Sequence, residues 1–215
     1  MTRLIITRHG QSIANAELRF AGHSDFDLSE LGHTQARLVA DYLAVHEKID
    51  VIYASDLLRA YHTATPTAER LGLPVIKDLL LREIYAGAWE GRTVFDLEER
   101  FSEDFHRWKT DYAHARPTGG ESIPEVYGRI VPHICELAEQ HDGQCLLLAT
   151  HSTVVRSFDA FAHGFGAEET GKVNFVSNAS INIYFYEKGV VTPICSDFTE
   201  HLGGLVSELP SALKA

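Results

Sequence analysis

The stretch LIITRHGQSIAN, residues 4–15, opens on aliphatic residues and turns polar at Thr7-Arg8-His9-Gly10. A short apolar run bounded by a polar turn reads as a buried strand, and a strand end is a rigid mount for side chains. Gly10 reads as a turn residue, because glycine reaches backbone angles that a Cβ resists. An arginine and a histidine on such a mount point to a site that needs a fixed cation beside an imidazole.

The pattern recurs along the chain. CLLLAT (145–150) is a buried strand that runs into His151-Ser152-Thr153, and DVIYAS (50–55) ends at Ser55, with Arg59 one turn into the next helix. PVI (74–76) reads as a further strand, and LLLREI (79–84) follows it with Glu83 near its end. Between these runs lie helical patterns. Ser29 suits the N-cap of a helix through about Glu47, and 56–71 reads as a helix that Pro66 should kink or break. Pro124 to Gln140 reads as a helix with proline in its first turn, and another helix follows Thr153. Residues 8–28 read as a polar loop, 93–112 as aromatic-rich and helical, and RPTGGES (116–122) as a loop. INIYFYE, Lys188-Gly189 and VVTPICS form an expected terminal hairpin, and the tail after Asp197 is weakly patterned. Strands alternating with helices imply an α/β fold with a mostly parallel sheet, expected as one domain over 1–215. Ligands of such sheets bind outside the carboxyl ends of the strands. Arg8, His9, Ser55, Arg59, Glu83 and His151 are therefore expected to converge on one sheet edge.

The bulk composition sets limits on the function. The chain has 215 residues, 45% hydrophobic and 23% charged, which suits one sizeable core. Its formal charge is −11, from 19 basic and 30 acidic residues. That argues against nucleic-acid and anionic-membrane partners and leaves room for a small basic pocket. The first residues turn polar too soon for a signal peptide, and no run approaches a membrane span. Cys135, Cys145 and Cys195 are odd in number and widely spaced, which suits buried apolar roles in a reducing, cytoplasmic setting.

Two guanidinium groups in one pocket are best tolerated around a dianion, and their planar forks match phosphate oxygens. Neutral imidazole is a nitrogen nucleophile able to take up a phosphoryl group, and nearby arginines keep it neutral. A second histidine can hold the charge that spreads over the phosphoryl oxygens. A glutamate can protonate a departing alkoxide and then deprotonate water.

With these residues in order, the chain resembles the histidine phosphatase superfamily, the phosphoglycerate-mutase-like proteins. The matching pieces are RHGQSIAN (8–15), DFDLSELGHTQA (25–36), ASDLLRAYHTA (54–64), LREIYAGAWEG (81–91), GGES (119–122) and ATHSTVVR (149–156). The resemblance implies a three-layer α/β sandwich with helices on both faces of the sheet. It makes His9 the phosphorylated nucleophile and Glu83 the acid and then the base. Arg8, Arg59 and His151 would bind the phosphoryl group, with Asn15 adding a hydrogen bond. Ser152 and Thr153 stand where the family usually has glycines, and the Ser152 hydroxyl is a further expected donor. His23, in the loop before the first long helix, is an expected substrate contact. The resemblance implies no cofactor, no metal and a small phosphorylated metabolite as partner. It leaves a homodimer open, and it leaves specificity to a variable segment at about 93–118.

The expected reaction is hydrolysis of a phosphomonoester through a phosphohistidine. The alternative is a cofactor-dependent phosphoglycerate mutase, which shares the centre. Mutases resembling this chain carry an arginine directly after the acid/base glutamate, where Ile84 stands, and a Trp-Arg-Arg run, where Trp108-Lys109-Thr110 is the nearest match. A metallohydrolase using His9, His151 and Glu83 is disfavoured by the adjacent arginines, which repel a divalent cation. A non-catalytic phosphate-binding module is disfavoured because nucleophile and acid are both present. Taken singly, Arg59 would pair with Asp56 on a helix surface and Glu83 with Arg82, and Glu90 reads as structural.

Overall fold

The computed structural model describes residues 1–207, so 208–215 of the expected domain and tail lie outside the described residues. Six strands form one sheet in the order β3-β2-β4-β1-β5-β6. These are β1 (Thr2–Arg8), β2 (Val51–Ala54), β3 (Val75–Lys77), β4 (Cys145–Thr150), β5 (Ile181–Glu187) and β6 (Val190–Phe198). The first four are mutually parallel, β5 runs antiparallel to β1, and β6 runs antiparallel to β5.

The helices are α1 (Ile13–Ala16), α2 (Glu30–His46), α3 (Leu58–Leu71), α4 (Val94–Arg100), α5 (Ser102–Thr110), α6 (Ile123–Gln140) and α7 (Ser152–Ala162). Residues alternate across the central strands, which explains the three layers. Leu4, Ile6, Leu146 and Leu148 enter one core with Ile130, Ile134 and Phe158 of α6 and α7. Ile5, Leu147 and Ala149 enter the other with Val39, Leu43 and Ala64 of α2 and α3. Strands covered on both faces read as unbroken apolar runs, as LII of β1 and CLLLA of β4, the central pair, do.

Several local expectations change. The 8–28 loop contains the short α1, closed by a capping box between Ser12 and Asn15. α3 runs unbroken through Pro66, which lies on a partly exposed face while Ala64 and Ala68 stay packed in the core. β3 is displaced by one residue to Val75–Lys77, and the 79–84 segment begins as a 3-10 turn. Lys188 and Gly189 both take positive φ, the two-residue turn that a right-twisted hairpin prefers. β6 continues to Phe198, and a 3-10 turn (Glu200–Leu202) follows.

Gly10 has a different reason from the one expected. Its φ lies outside the left-handed region, so no special backbone angle requires it. A Cβ there would sit 2.7 Å from the carbonyl oxygen of Gly32 at the start of α2. Close approach of two chain segments therefore demands glycine. The strand register completes the frame, pairing Arg8 with Thr150 and Ala54 with Ala149. His9, His151 and Ser55 thus stand one residue beyond the ends of three neighbouring parallel strands.

Candidate active site

Arg8, His9, Asn15, Arg59, Glu83 and Ser152 line one cleft of about 620 Å³, open to solvent. His151 lies behind it, fully buried, with its ring centroid 5.2 Å from that of His9.

His9 Nδ1 is 2.6 Å from the carbonyl oxygen of Gly10. A carbonyl only accepts, so Nδ1 carries the proton and Nε2 keeps its lone pair. The loop is fixed from both sides. Gly10 N–H donates to Thr63 Oγ1 at 3.0 Å, and Asn178 Nδ2 donates to the carbonyl of His9 at 3.0 Å and to Asn15 Oδ1 at 3.1 Å. Asn15 therefore braces the loop that carries His9 as well as lining the cleft. Burial pushes the imidazole of His9 well below the usual histidine range, and the charges of Arg59 and Arg8 push it further. Burial and then Arg59 act on His151 in the same direction.

Both rings accordingly stay neutral at pH values where an exposed histidine is charged. Below about 6.5, the ordinary histidine value, the unfolded chain binds more protons at these two positions than the folded one does. Stability should therefore fall with pH in that window, by at most about 1.4 kcal/mol per pH unit for each such histidine. His9→Asn removes one of them. Its drop in Tm between pH 6.5 and 5.5 should be smaller than that of the unsubstituted protein. An equal drop would show that His9 titrates as an exposed histidine does.

The two arginines are buried and held by main-chain carbonyls. Arg8 Nη1 donates to Val176 O at 2.6 Å, and its guanidinium lies 4.8 Å from the centroid of Phe175. Arg59 donates to Ser24 O at 3.0 Å and Gly22 O at 2.7 Å. Burial lowers each guanidinium to about 10, so both remain cationic at neutral pH. Among the described residues Arg59 makes no helix-surface pair, and Asp56 is taken by Arg82, Nε to Oδ1 at 2.7 Å. That bidentate pair also leaves Arg82 unavailable to Glu83. Glu90 accepts from the N–H groups of His23, Ser24 and Ala86 and from the Ser24 hydroxyl. It shapes the loop whose carbonyls hold Arg59.

Glu83 Oε1 accepts the N–H of Ile84 at 3.0 Å and that of Thr153, in the first turn of α7, at 3.2 Å. Its own carbonyl accepts from Arg129 Nη2 at 2.9 Å and from His23 Nε2 at 2.8 Å. His23 is thus absent from the cleft lining expected of it, and its ring positions Glu83 from behind. His151 Nε2 is 2.8 Å from Ser55 Oγ, while its Nδ1 is buried without a partner among the described residues. Ser152 begins α7, so its N–H belongs to a helix N-terminus, which favours an anion.

Sequence reasoning missed Asn178, Arg129, Arg156, Tyr112 and Phe175. Asn178 and Phe175 arrive from the loop before β5, whose path no local motif marks. Arg156 closes the matched ATHSTVVR frame, and its position there was the available signal. The cysteines stay outside the cleft, and burial raises Cys145 to about 12 and Cys135 to about 11, which keeps both thiols protonated.

The family model of the histidine phosphatase superfamily (branch 1) matches residues 4–194. The chain belongs to that superfamily. It is 34% identical over 213 residues to phosphoserine phosphatase 1 of Hydrogenobacter thermophilus, covering 99% of this chain and 100% of that protein. It is 34% identical over 185 residues to a glucosyl-3-phosphoglycerate phosphatase of Mycolicibacterium vanbaalenii, covering 83% and 81% of the two chains. The solved structure of a mycobacterial glucosyl-3-phosphoglycerate phosphatase with VO3 superposes with a TM-score of 0.85 at 30% identity, covering 92% of this chain and 99% of that one.

Proposed function

We propose that the chain is a metal-independent phosphomonoesterase that works through a phosphohistidine at His9. The observation that carries this reading is the tautomer that Gly10 imposes, which leaves a neutral Nε2 in a cleft flanked by two arginines. The relatives named as phosphatases of phosphoserine and glucosyl-3-phosphoglycerate support a small phosphorylated metabolite as substrate.

In the first step His9 Nε2 attacks phosphorus, and the P–O bond to the alcohol breaks. Glu83 gives its proton to the leaving alkoxide. In the second step Glu83 takes a proton from water, whose oxygen displaces His9 and releases inorganic phosphate. Arg8 and Arg59 balance the charge on the phosphoryl oxygens in both steps. His151 adds a donor from behind, and the α7 N-terminus adds main-chain N–H groups.

The mutase alternative has less support. Ile84 is packed in the core, and Lys109 is turned to Glu98, with Nζ 3.1 Å from its carboxylate. Neither position supplies the extra cation of a mutase.

Arginines supply here the positive charge that a divalent ion supplies elsewhere. Among the described residues, no three His, Cys, Asp or Glu side chains gather in metal-holding geometry. Dialysis against EDTA should leave hydrolysis of p-nitrophenyl phosphate intact, and vanadate should inhibit it. Activity lost on chelation and restored by Mg²⁺ or Zn²⁺ would overturn metal independence.

A further inference from the structure

Two arginines beyond the phosphate clamp line the same cleft, Arg19 and Arg156. Arg19 is engaged with Glu17, Nε to Oε2 at 2.6 Å, and with the carbonyl of Gly91. Arg156 is different. It is only 3% exposed, and no carboxylate pairs with it among the described residues. Its one hydrogen bond there is long, from Nη2 to the carbonyl of Val173 at 3.3 Å, and its Nε is buried without a partner. The guanidinium is stacked on Tyr112, with Cζ 3.7 Å from the ring centroid.

A buried cation short of partners is costly unless an anion completes it. Stacking fixes the plane of the fork and leaves its N–H edge to be satisfied from the cleft. Arg156 lies four residues after Ser152 on α7, which is about 6 Å along the helix axis. The phosphoryl group belongs at the α7 N-terminus, with Arg8 and Arg59. An anion on Arg156 would then sit a few bonds from phosphorus. In a three-carbon phosphorylated acid, phosphorus and the carboxyl carbon are on the order of 5 Å apart, with bonds near 1.5 Å.

Resting on the phosphomonoesterase reading, we propose that Arg156, held flat on Tyr112, is a specificity residue that binds a carboxylate of the substrate. The enzyme is therefore directed to short phosphorylated carboxylic acids. A single guanidinium suits a planar monoanion. A second phosphate dianion would call for a cluster such as the one that surrounds the first.

The test compares esters that differ only at this group. O-phosphoserine is paired with O-phosphoethanolamine, and 3-phosphoglycerate with glycerol 3-phosphate. In the unsubstituted protein, kcat/KM should favour the carboxylate member of each pair by roughly 10–10²-fold, the range of a hydrogen bond to a charged group. Arg156→Met keeps an apolar stem against Tyr112 and should bring both ratios towards one. Arg156→Lys should retain part of the preference. Ratios near one in the unsubstituted protein, with all four esters hydrolysed, would overturn the carboxylate site and leave the phosphatase reading standing. Equal losses for both members of a pair in Arg156→Met would assign Arg156 to the fold or the phosphate clamp. An Arg156-dependent preference for 2,3-bisphosphoglycerate over 3-phosphoglycerate would replace the carboxylate by a second phosphate. If the unsubstituted protein hydrolyses neither these esters nor p-nitrophenyl phosphate, the phosphatase reading fails, and this one with it.

Discussion

His9→Ala should lower hydrolysis of every phosphomonoester by on the order of 10⁴-fold or more, because among the described residues no other imidazole lines the cleft. The loss should be in kcat, and it should not depend on the leaving group. His151 cannot take over: it is fully buried, and its Nε2 is engaged with Ser55 Oγ. Steady-state assays on p-nitrophenyl phosphate and on an alkyl phosphate check this. Activity within tenfold of the unsubstituted enzyme on either substrate would remove His9 as nucleophile.

Glu83 and Arg59 should separate by leaving group. In the proposed mechanism Glu83 acts on the alcohol, so its proton matters most when the alkoxide is poor. p-Nitrophenolate departs well without one. Arg59 is proposed to contact the transferred group, which is the same in every substrate. Glu83→Gln should therefore slow phosphorylation of His9 by alkyl phosphates far more than by p-nitrophenyl phosphate. Arg59→Ala should slow both by roughly 10²–10³-fold, as expected of a preorganised charge stabiliser. Single-turnover measurements isolate this step from dephosphorylation, in which Glu83 is proposed to act on water for all substrates alike. Equal losses in Glu83→Gln for both leaving groups would exclude it as the general acid. Glu90 would not replace it, since four donors of the 22–24 loop and Ala86 already occupy its carboxylate.

The sheet was legible because its inner strands are buried on both faces and so appear as apolar runs. Their polar endings placed His9, His151 and Ser55 side by side before any register was known. Glu83 and Arg59 were legible only within their longer matched frames. Singly, each reads as half of a surface ion pair, and the structure gives Arg82 and Asp56 to one another instead. Arg156 was hidden because an arginine inside a helix ordinarily faces water. Its burial depends on Tyr112 arriving from the segment after α5. Asn178 was hidden because its three contacts cross more than 160 positions of sequence. His23 reads as a substrate contact from its place in a polar loop, where nothing local shows that Glu83's carbonyl will meet its ring. Gly10 was read correctly as required, but for a backbone angle, when the requirement is the space that Gly32 takes up.

The most direct test of the covalent mechanism uses Glu83→Gln with phosphate-labelled p-nitrophenyl phosphate and a rapid quench. Phosphorylation proceeds with this leaving group, while the loss of the base slows water attack, so the intermediate should accumulate. A burst of p-nitrophenolate close to one per chain is expected, with acid-labile, alkali-stable label on the peptide that carries His9. Steady release of p-nitrophenolate with no burst, or label on any other residue, would contradict the mechanism.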